Sequence, residues 1–142
     1  MCSLGRIVMG NWIPGDPTVV AQILRISSAY SPPPPEGFVS PMTWGVEADV
    51  IERFTGAGVP AEQISFEQDT YVFDFPGTPS EYLAQFKAYY GPTMNAYAAA
   101  AANGKEAELN AELDTLFNEQ NTSEAEGSTS IPATFLRVTV AV

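Results

Sequence analysis

Histidine is absent from this 142-residue chain and cysteine occurs once, as Cys2. The side chains most used for proton transfer and nucleophilic attack near neutral pH are therefore nearly missing. That excludes His-dependent triads, His-ligated zinc and thiolate-rich metal sites, and it excludes an internal disulfide. Proton chemistry would have to come from Asp, Glu, Tyr or Lys, and no cluster of these stands at metal-ligand or nucleophile–base spacing. The only G-x-G is Gly56-Ala57-Gly58. It falls between a predicted helix and a predicted strand, the reverse of the strand-to-helix turn that presents helix N–H groups to a charged ligand, so it reads as a helix cap. Glu47, Asp49 and Glu52 read as a solvated helix face, and Tyr82, Phe86 and Tyr90, at helical spacing, as core aromatics first.

Composition narrows the partners. Seventeen acids against six bases give a formal charge of −11, and the bases are scattered singly. Phosphate backbones are held by clustered Lys and Arg, so no nucleic-acid partner is expected. The apolar stretch Ile7-Val8-Met9 is far short of a signal-peptide core, and no apolar run approaches the roughly 18 residues that span a bilayer. No membrane association and a cytoplasmic location are expected. At 45% hydrophobic and 11% aromatic residues, the chain can bury a core, and residues 1–142 are expected to form a single domain.

The elements that would position any site follow from periodicity. Arg6–Trp12 is apolar on both faces at its centre and reads as a strand, ended by Pro14-Gly15-Asp16-Pro17. Asp16 and Pro17 form an N-cap and first-turn pair for a helix to about Ala29, with Val20, Ile23 and Leu24 on one stripe. Ser31 to Met42 contains four consecutive prolines and reads as a stiff connector. A second helix runs from about Gly45 to Thr55 on Val46, Val50, Ile51 and Phe54, closed by Gly56-Ala57-Gly58. Gln63 to Phe75 is a strand whose apolar parity changes from Ile64 and Phe66 to Tyr71, Phe73 and Phe75, which predicts a bulge or tight turn near Gln68 to Thr70. Pro79-Ser80-Glu81 opens a third helix, Gly91-Pro92 starts another through the alanines to Ala102, and a last one carries Leu109, Leu113, Leu116 and Phe117. Glu119 to Thr129 is polar and reads as a loop, and Thr134 to Val142, apolar on nearly every residue, as a strand central in its sheet.

Three stretches carry a resemblance: Leu4-Gly5-Arg6-Ile7-Val8-Met9-Gly10-Asn11-Trp12; Trp44-Gly45 with Glu47 to Phe54; and Ser80-Glu81-Tyr82 through Phe86 to Tyr89-Tyr90-Gly91-Pro92-Thr93. Together they resemble the C-terminal half of a class I (Rossmann-like) S-adenosylmethionine-dependent methyltransferase, in particular the ubiquinone/menaquinone-type small-molecule group. In that frame the first stretch is similar to the fifth strand, with Cys2-Ser3-Leu4-Gly5 in place of the proline-containing turn that usually precedes it. The second is similar to the helix before the sixth strand, and the third to helices covering the substrate side.

The resemblance implies an α/β fold, an α+β-like half-domain with about five helices. Its three-stranded mixed sheet would be in the family order five, seven, six, the last strand central and antiparallel. It implies a substrate pocket faced by Asn11 and Trp12, with Trp44, Tyr89 and Tyr90 lining its lid, though Asn11 beside Pro14-Gly15 reads equally as a turn former. The family's donor-binding glycine turn and ribose-holding acid would precede Met1, so no cofactor-binding or catalytic residue is expected here, and S-adenosylmethionine belongs to the intact family alone. Strand Arg6–Trp12 would lack its usual neighbour, which implies a homodimer through that open edge or a partner chain supplying the donor half; a truncated reading frame is the third possibility. The competing functions are a methyltransferase portion inactive alone, a non-catalytic dimeric binding module using an aromatic helical surface, and an unrelated small α+β dimer.

Overall fold

A computed structural model describes residues 5–142; of the turn Cys2-Ser3-Leu4-Gly5, the first three residues lie outside the described region. The elements are β1 (Arg6–Trp12), α1 (Val19–Tyr30), a 3-10 turn (Pro41–Gly45), α2 (Glu47–Gly56), a second 3-10 turn (Ala61–Gln63), β2 (Ile64–Phe75), α3 (Pro79–Tyr89), α4 (Gly91–Ala102), α5 (Glu106–Gln120) and β3 (Thr129–Ala141). The fold is mixed α/β with five helices and a three-stranded antiparallel sheet in the order β1-β3-β2. The last strand is thus the middle one, as its nearly unbroken apolarity requires: a strand between two neighbours has no solvent edge.

β1 pairs antiparallel with β3 from Arg6 opposite Ala141 to Trp12 opposite Phe135. On the other side, side chains fix the register: Ser65 Oγ donates to the Thr139 carbonyl, the Thr70 and Thr134 hydroxyls meet at 3.0 Å, and Ser130 Oγ donates to Asp74 Oδ1. Each step up β2 is matched by one step down β3. No extra residue is inserted, so the bulge or turn expected near Gln68 to Thr70 does not occur, and β2 runs unbroken. The parity changes because the two ends of the strand serve different cores. The same change appears on β3, where Thr129, Ile131 and Ala133 are buried, then Leu136, Val138 and Val140. β3 also begins earlier than its sequence suggested, through Pro132. Proline lacks an amide donor, and it is tolerated here because β1 reaches only Phe135, leaving β3 with one neighbour at that point.

The chain divides into two compact units, one made of the chain up to Asp16 with Phe38–Tyr71 and Thr134–Val142, the other of Pro17–Gly37 with Val72–Ala133. In the first, Val50, Ile64, Leu136, Val138 and Val140 form the buried cluster, with Met9, Ile13, Trp44, Ile51, Phe54, Val59 and Phe66 packed around it. The expected cap closes α2: Gly58 adopts φ +90°, and the Ala57, Gly58 and Val59 amides donate to the carbonyls of Phe54, Thr55 and Phe54.

In the second unit α1 packs on α4 and α5, and α3 on both of those helices. Val19, Ile23, Leu83, Ala96, Tyr97, Leu109, Leu113 and Phe117 are buried there. Helix α3 starts with a full capping box, Thr78 accepting from the Glu81 amide and Glu81 from the Thr78 amide. Helix α1 begins at Val19 rather than Pro17, with Thr18 as N-cap. The Asp16 amide donates to the Ile13 carbonyl and closes a turn over Pro14 and Gly15, which delays the helix.

Candidate functional site

The residues assigned to a substrate pocket fall in both units: Asn11, Trp12 and Trp44 in the first, Tyr89 and Tyr90 in the second. In the first unit, β1 delivers Asn11 and Trp12 on consecutive positions, Trp12 opposite Phe135 with its ring edge-on at 6.3 Å. The turn Pro41–Gly45 brings Trp44 to the same strand, because Gly45 lies directly against the Trp12 backbone. Trp44 is held on two sides, by the Arg53 guanidinium 4.5 Å above its ring and by Phe54 edge-on at 6.3 Å. Thr43 in turn accepts from Arg53, so the indole is clamped by its own helix and turn. Asn11 differs from its neighbours. Its amide nitrogen is enclosed and has no hydrogen-bond partner, and an enclosed donor left unpaired costs about 1–3 kcal/mol. An acceptor oxygen at that nitrogen would be stabilised.

In the second unit, Tyr89 stands 80% exposed at the end of α3 while Tyr90 is half-buried, edge-on to Phe86 at 5.4 Å. Burial raises the Tyr90 phenol above its ordinary value. With Gln85 and Phe86 these two tyrosines line a shallow, apolar depression of about 240 Å³. Beneath it the aromatics are structural: Phe75 stacks on Tyr82 at 4.8 Å, and Tyr82 and Phe86 meet Phe117 edge-on at 5.8 and 5.3 Å. Tyr82 and Phe86 are thus half-buried members of an aromatic cluster around the buried Phe117, while Leu83 is the buried residue of α3.

Two further tyrosines carry chemistry that spacing did not reveal. Tyr30 donates to Glu112 Oε1 at 2.6 Å across a groove of about 750 Å³ lined also by Pro32, Ala99, Asn103 and Lys105. That hydrogen bond, burial and the charges of Glu112 and Glu108 push its phenol up to about 12. Tyr97 donates to Asn110 Oδ1 at 2.8 Å, under the Lys87 ammonium 4.5 Å from its ring. Desolvation, then Asp114 and Glu106, push this phenol up to about 12 as well. Tyr30 and Glu112 are too far apart in sequence for periodicity to pair them. Tyr97 sits beside an alanine run whose small side chains let neighbouring helices approach.

Tyr97 makes a testable contribution to stability. The fold favours the neutral phenol, so the stabilisation is complete below pH 10 and is lost as pH climbs from 10.0, the unfolded value, to about 12. Urea midpoints measured across that window should fall for the natural chain and fall less steeply for Tyr97→Phe. Parallel slopes would show that Tyr97 ionises as freely folded as unfolded.

Among the described residues no group of three or more His, Cys, Asp and Glu side chains could hold a metal ion. No helix among them is long and apolar enough to cross a membrane. Compared with known proteins, the chain matches no family model, no curated protein and no solved structure.

Proposed function

We propose that this chain is the acceptor-side portion of a class I S-adenosylmethionine-dependent methyltransferase for a small molecule, working in the cytosol and without activity by itself. The observation that carries the reading is the sheet: the chain-terminal strand inserted between β1 and β2 and antiparallel to β1. That is the arrangement the resemblance implies for the tail of such a domain. The residues present do not fit the methyl donor. Gly56-Ala57-Gly58 is spent on capping α2, with Gly58 open to solvent-side space rather than to a helix N-terminus. The one strand-to-helix turn at the start of the chain, Pro14 to Thr18, carries two prolines that lack amide donors. No step of methyl transfer is therefore derived through these residues.

What the chain contributes in this reading is acceptor placement. Methyl transfer is a displacement in which positioning supplies most of the rate, so the absence of histidine is no obstacle. Trp12 and Trp44 bring aromatic side chains together at one end of β1, beside Asn11, whose amide nitrogen has no hydrogen-bond partner. A non-catalytic binding module is the second reading, favoured by the 80% exposure of Tyr89 beside an apolar depression. Calorimetric titration separates the readings from their opposite. Isolated chain should release no heat with S-adenosylmethionine, whereas saturable micromolar binding would overturn the proposal. A small aromatic ligand whose binding is weakened by Tyr89→Ala, with Trp12→Ala silent, would favour the module.

A further inference from the structure

Arg53 is fixed in place with one nitrogen left over. Its guanidinium lies 4.5 Å from the Trp44 ring centroid, and Nη2 donates to the Thr43 hydroxyl. Nη1 is enclosed and has no hydrogen-bond partner. This happens in a chain with 17 acids. Asp49 stands four residues earlier on α2, the spacing at which acid and base pair along a helix, yet Arg53 turns instead to Thr43 and Trp44. Arg137 and Lys87, by contrast, each meet carboxylates. An enclosed nitrogen of a charged group that lacks an acceptor is costlier than a neutral one, because the charge loses more hydration.

Asn11 carries the second such nitrogen in the first unit. It stands opposite Leu136 in the β1–β3 register, so the two side chains leave the sheet on the same face. Leu136 belongs to the buried cluster against which Trp44 and Phe54 pack, which puts Asn11, Trp44 and Arg53 on one side of the sheet. Gly45, next after Trp44, presses on the backbone of Trp12, next after Asn11, and so joins the turn to the strand end. Two enclosed donors, one charged and one neutral, thus share a corner with an indole.

We propose that this corner takes a carboxylate, one oxygen accepting from Arg53 Nη1 and Asn11 Nδ2, with Trp44 beside the apolar remainder of the ligand. A single negative charge suits it better than a phosphate, since one guanidinium meets the ligand and the chain already carries −11. Thr43 and Trp44 hold the guanidinium before the ligand arrives, so binding has little left to order. The inference rests on the acceptor-placement reading and gives the acceptor its charge. The donor titration tests methyl transfer and an anion titration tests this site, so each can fail alone.

Because both nitrogens are enclosed, an arriving oxygen must displace a neighbouring side chain, and tryptophan fluorescence reports it, both tryptophans lying in this unit. Benzoate added to the full chain should change that fluorescence saturably, with a dissociation constant on the order of 1 mM that rises with salt. Benzamide, alike in shape but neutral, should bind at least about tenfold more weakly. Arg53→Gln should weaken benzoate about tenfold or more. That change also strips a packed side chain, so Asn11→Asp is the second arm. Its carboxylate stands where the ligand's would, beside Arg53, and should abolish benzoate binding while raising the urea midpoint of the first unit. The gain should vanish when Arg53→Gln is added. No saturable response to benzoate, equal affinity for benzamide, undiminished binding by Arg53→Gln, or a lowered midpoint in Asn11→Asp would each overturn the site.

Discussion

Replacing Gly45 by alanine should unfold the first unit. A Cβ there would overlap the Trp12 carbonyl oxygen and lie 2.8 Å from the carbonyl carbon and 3.1 Å from Ile13 Cα. All three are backbone atoms, so no side-chain rotation relieves the overlap. Trp12 cannot retreat easily, being the last β1 residue in register with β3. Overpacking of well-packed sites costs about 1–3 kcal/mol, and a clash with paired backbone should reach or exceed about 3 kcal/mol. Gly56→Ala is the control, because nothing lies within 4 Å of its added methyl at the end of α2. There alanine's helix preference should add up to about 1 kcal/mol. Both tryptophans, Trp12 and Trp44, belong to this unit, so their fluorescence reports it directly during urea unfolding. Matching midpoints for Gly45→Ala and the natural chain would mean that the turn Pro41–Gly45 does not press on β1.

Phe117→Ala should be the most damaging single truncation in the second unit, at about 3–5 kcal/mol. Phe117 is fully buried and receives the edges or faces of two rings, Tyr82 and Phe86, at 5.8 and 5.3 Å. Removing it leaves a cavity that two rigid rings cannot collapse into, while α5 keeps its register through Leu109 and Leu113. Denaturation followed by far-ultraviolet circular dichroism reads the loss, since four of the five helices lie wholly in this unit. The double variant with Tyr82→Ala should lose at least about 0.5 kcal/mol less than the two single losses combined, because the rings share contacts. Strict additivity would place the two rings in separate environments.

Much of this architecture was legible because it depends on local patterns. The Val46, Val50, Ile51 and Phe54 spacing marks α2, and Val50 is indeed fully buried. Gly56-Ala57-Gly58 was identifiable as a cap from its position after a helix, and near-continuous apolarity marked β3 as central. What failed did so where a long-range partner overrode a local rule. The parity change in β2 signals a bulge when the strand is assumed to serve one core; here Ile64 and Phe66 feed one cluster, while Phe73 and Phe75 meet Tyr82 in another. The start of β3, read at Thr134 from its apolar run, lies earlier at Thr129, and Pro132 is accommodated because β1 reaches only Phe135. The Asp16-Pro17 start of α1 was displaced by a turn whose closing bond, to Ile13, competes with the cap. Of the pocket residues, the clamping of Trp44 by Arg53 and Phe54 has a helical-spacing signal only between those two partners and the turn before them. The unpaired amide of Asn11 has no sequence signal at all.

The division of the chain carries a consequence for how it can be cut and how it folds. The polypeptide passes from one unit to the other four times, after Asp16, Gly37, Tyr71 and Ala133. No single scission releases either unit whole, because the boundary after Tyr71 falls within β2 and the one after Ala133 within β3. Ordering the first unit pins both ends of Pro17–Gly37 and of Val72–Ala133, turning each into a tethered loop. Closure entropy for the second unit is then largely discharged before its own helices dock. The two cores are thus linked through the connectivity of the backbone, and each lowers the barrier to completing the other.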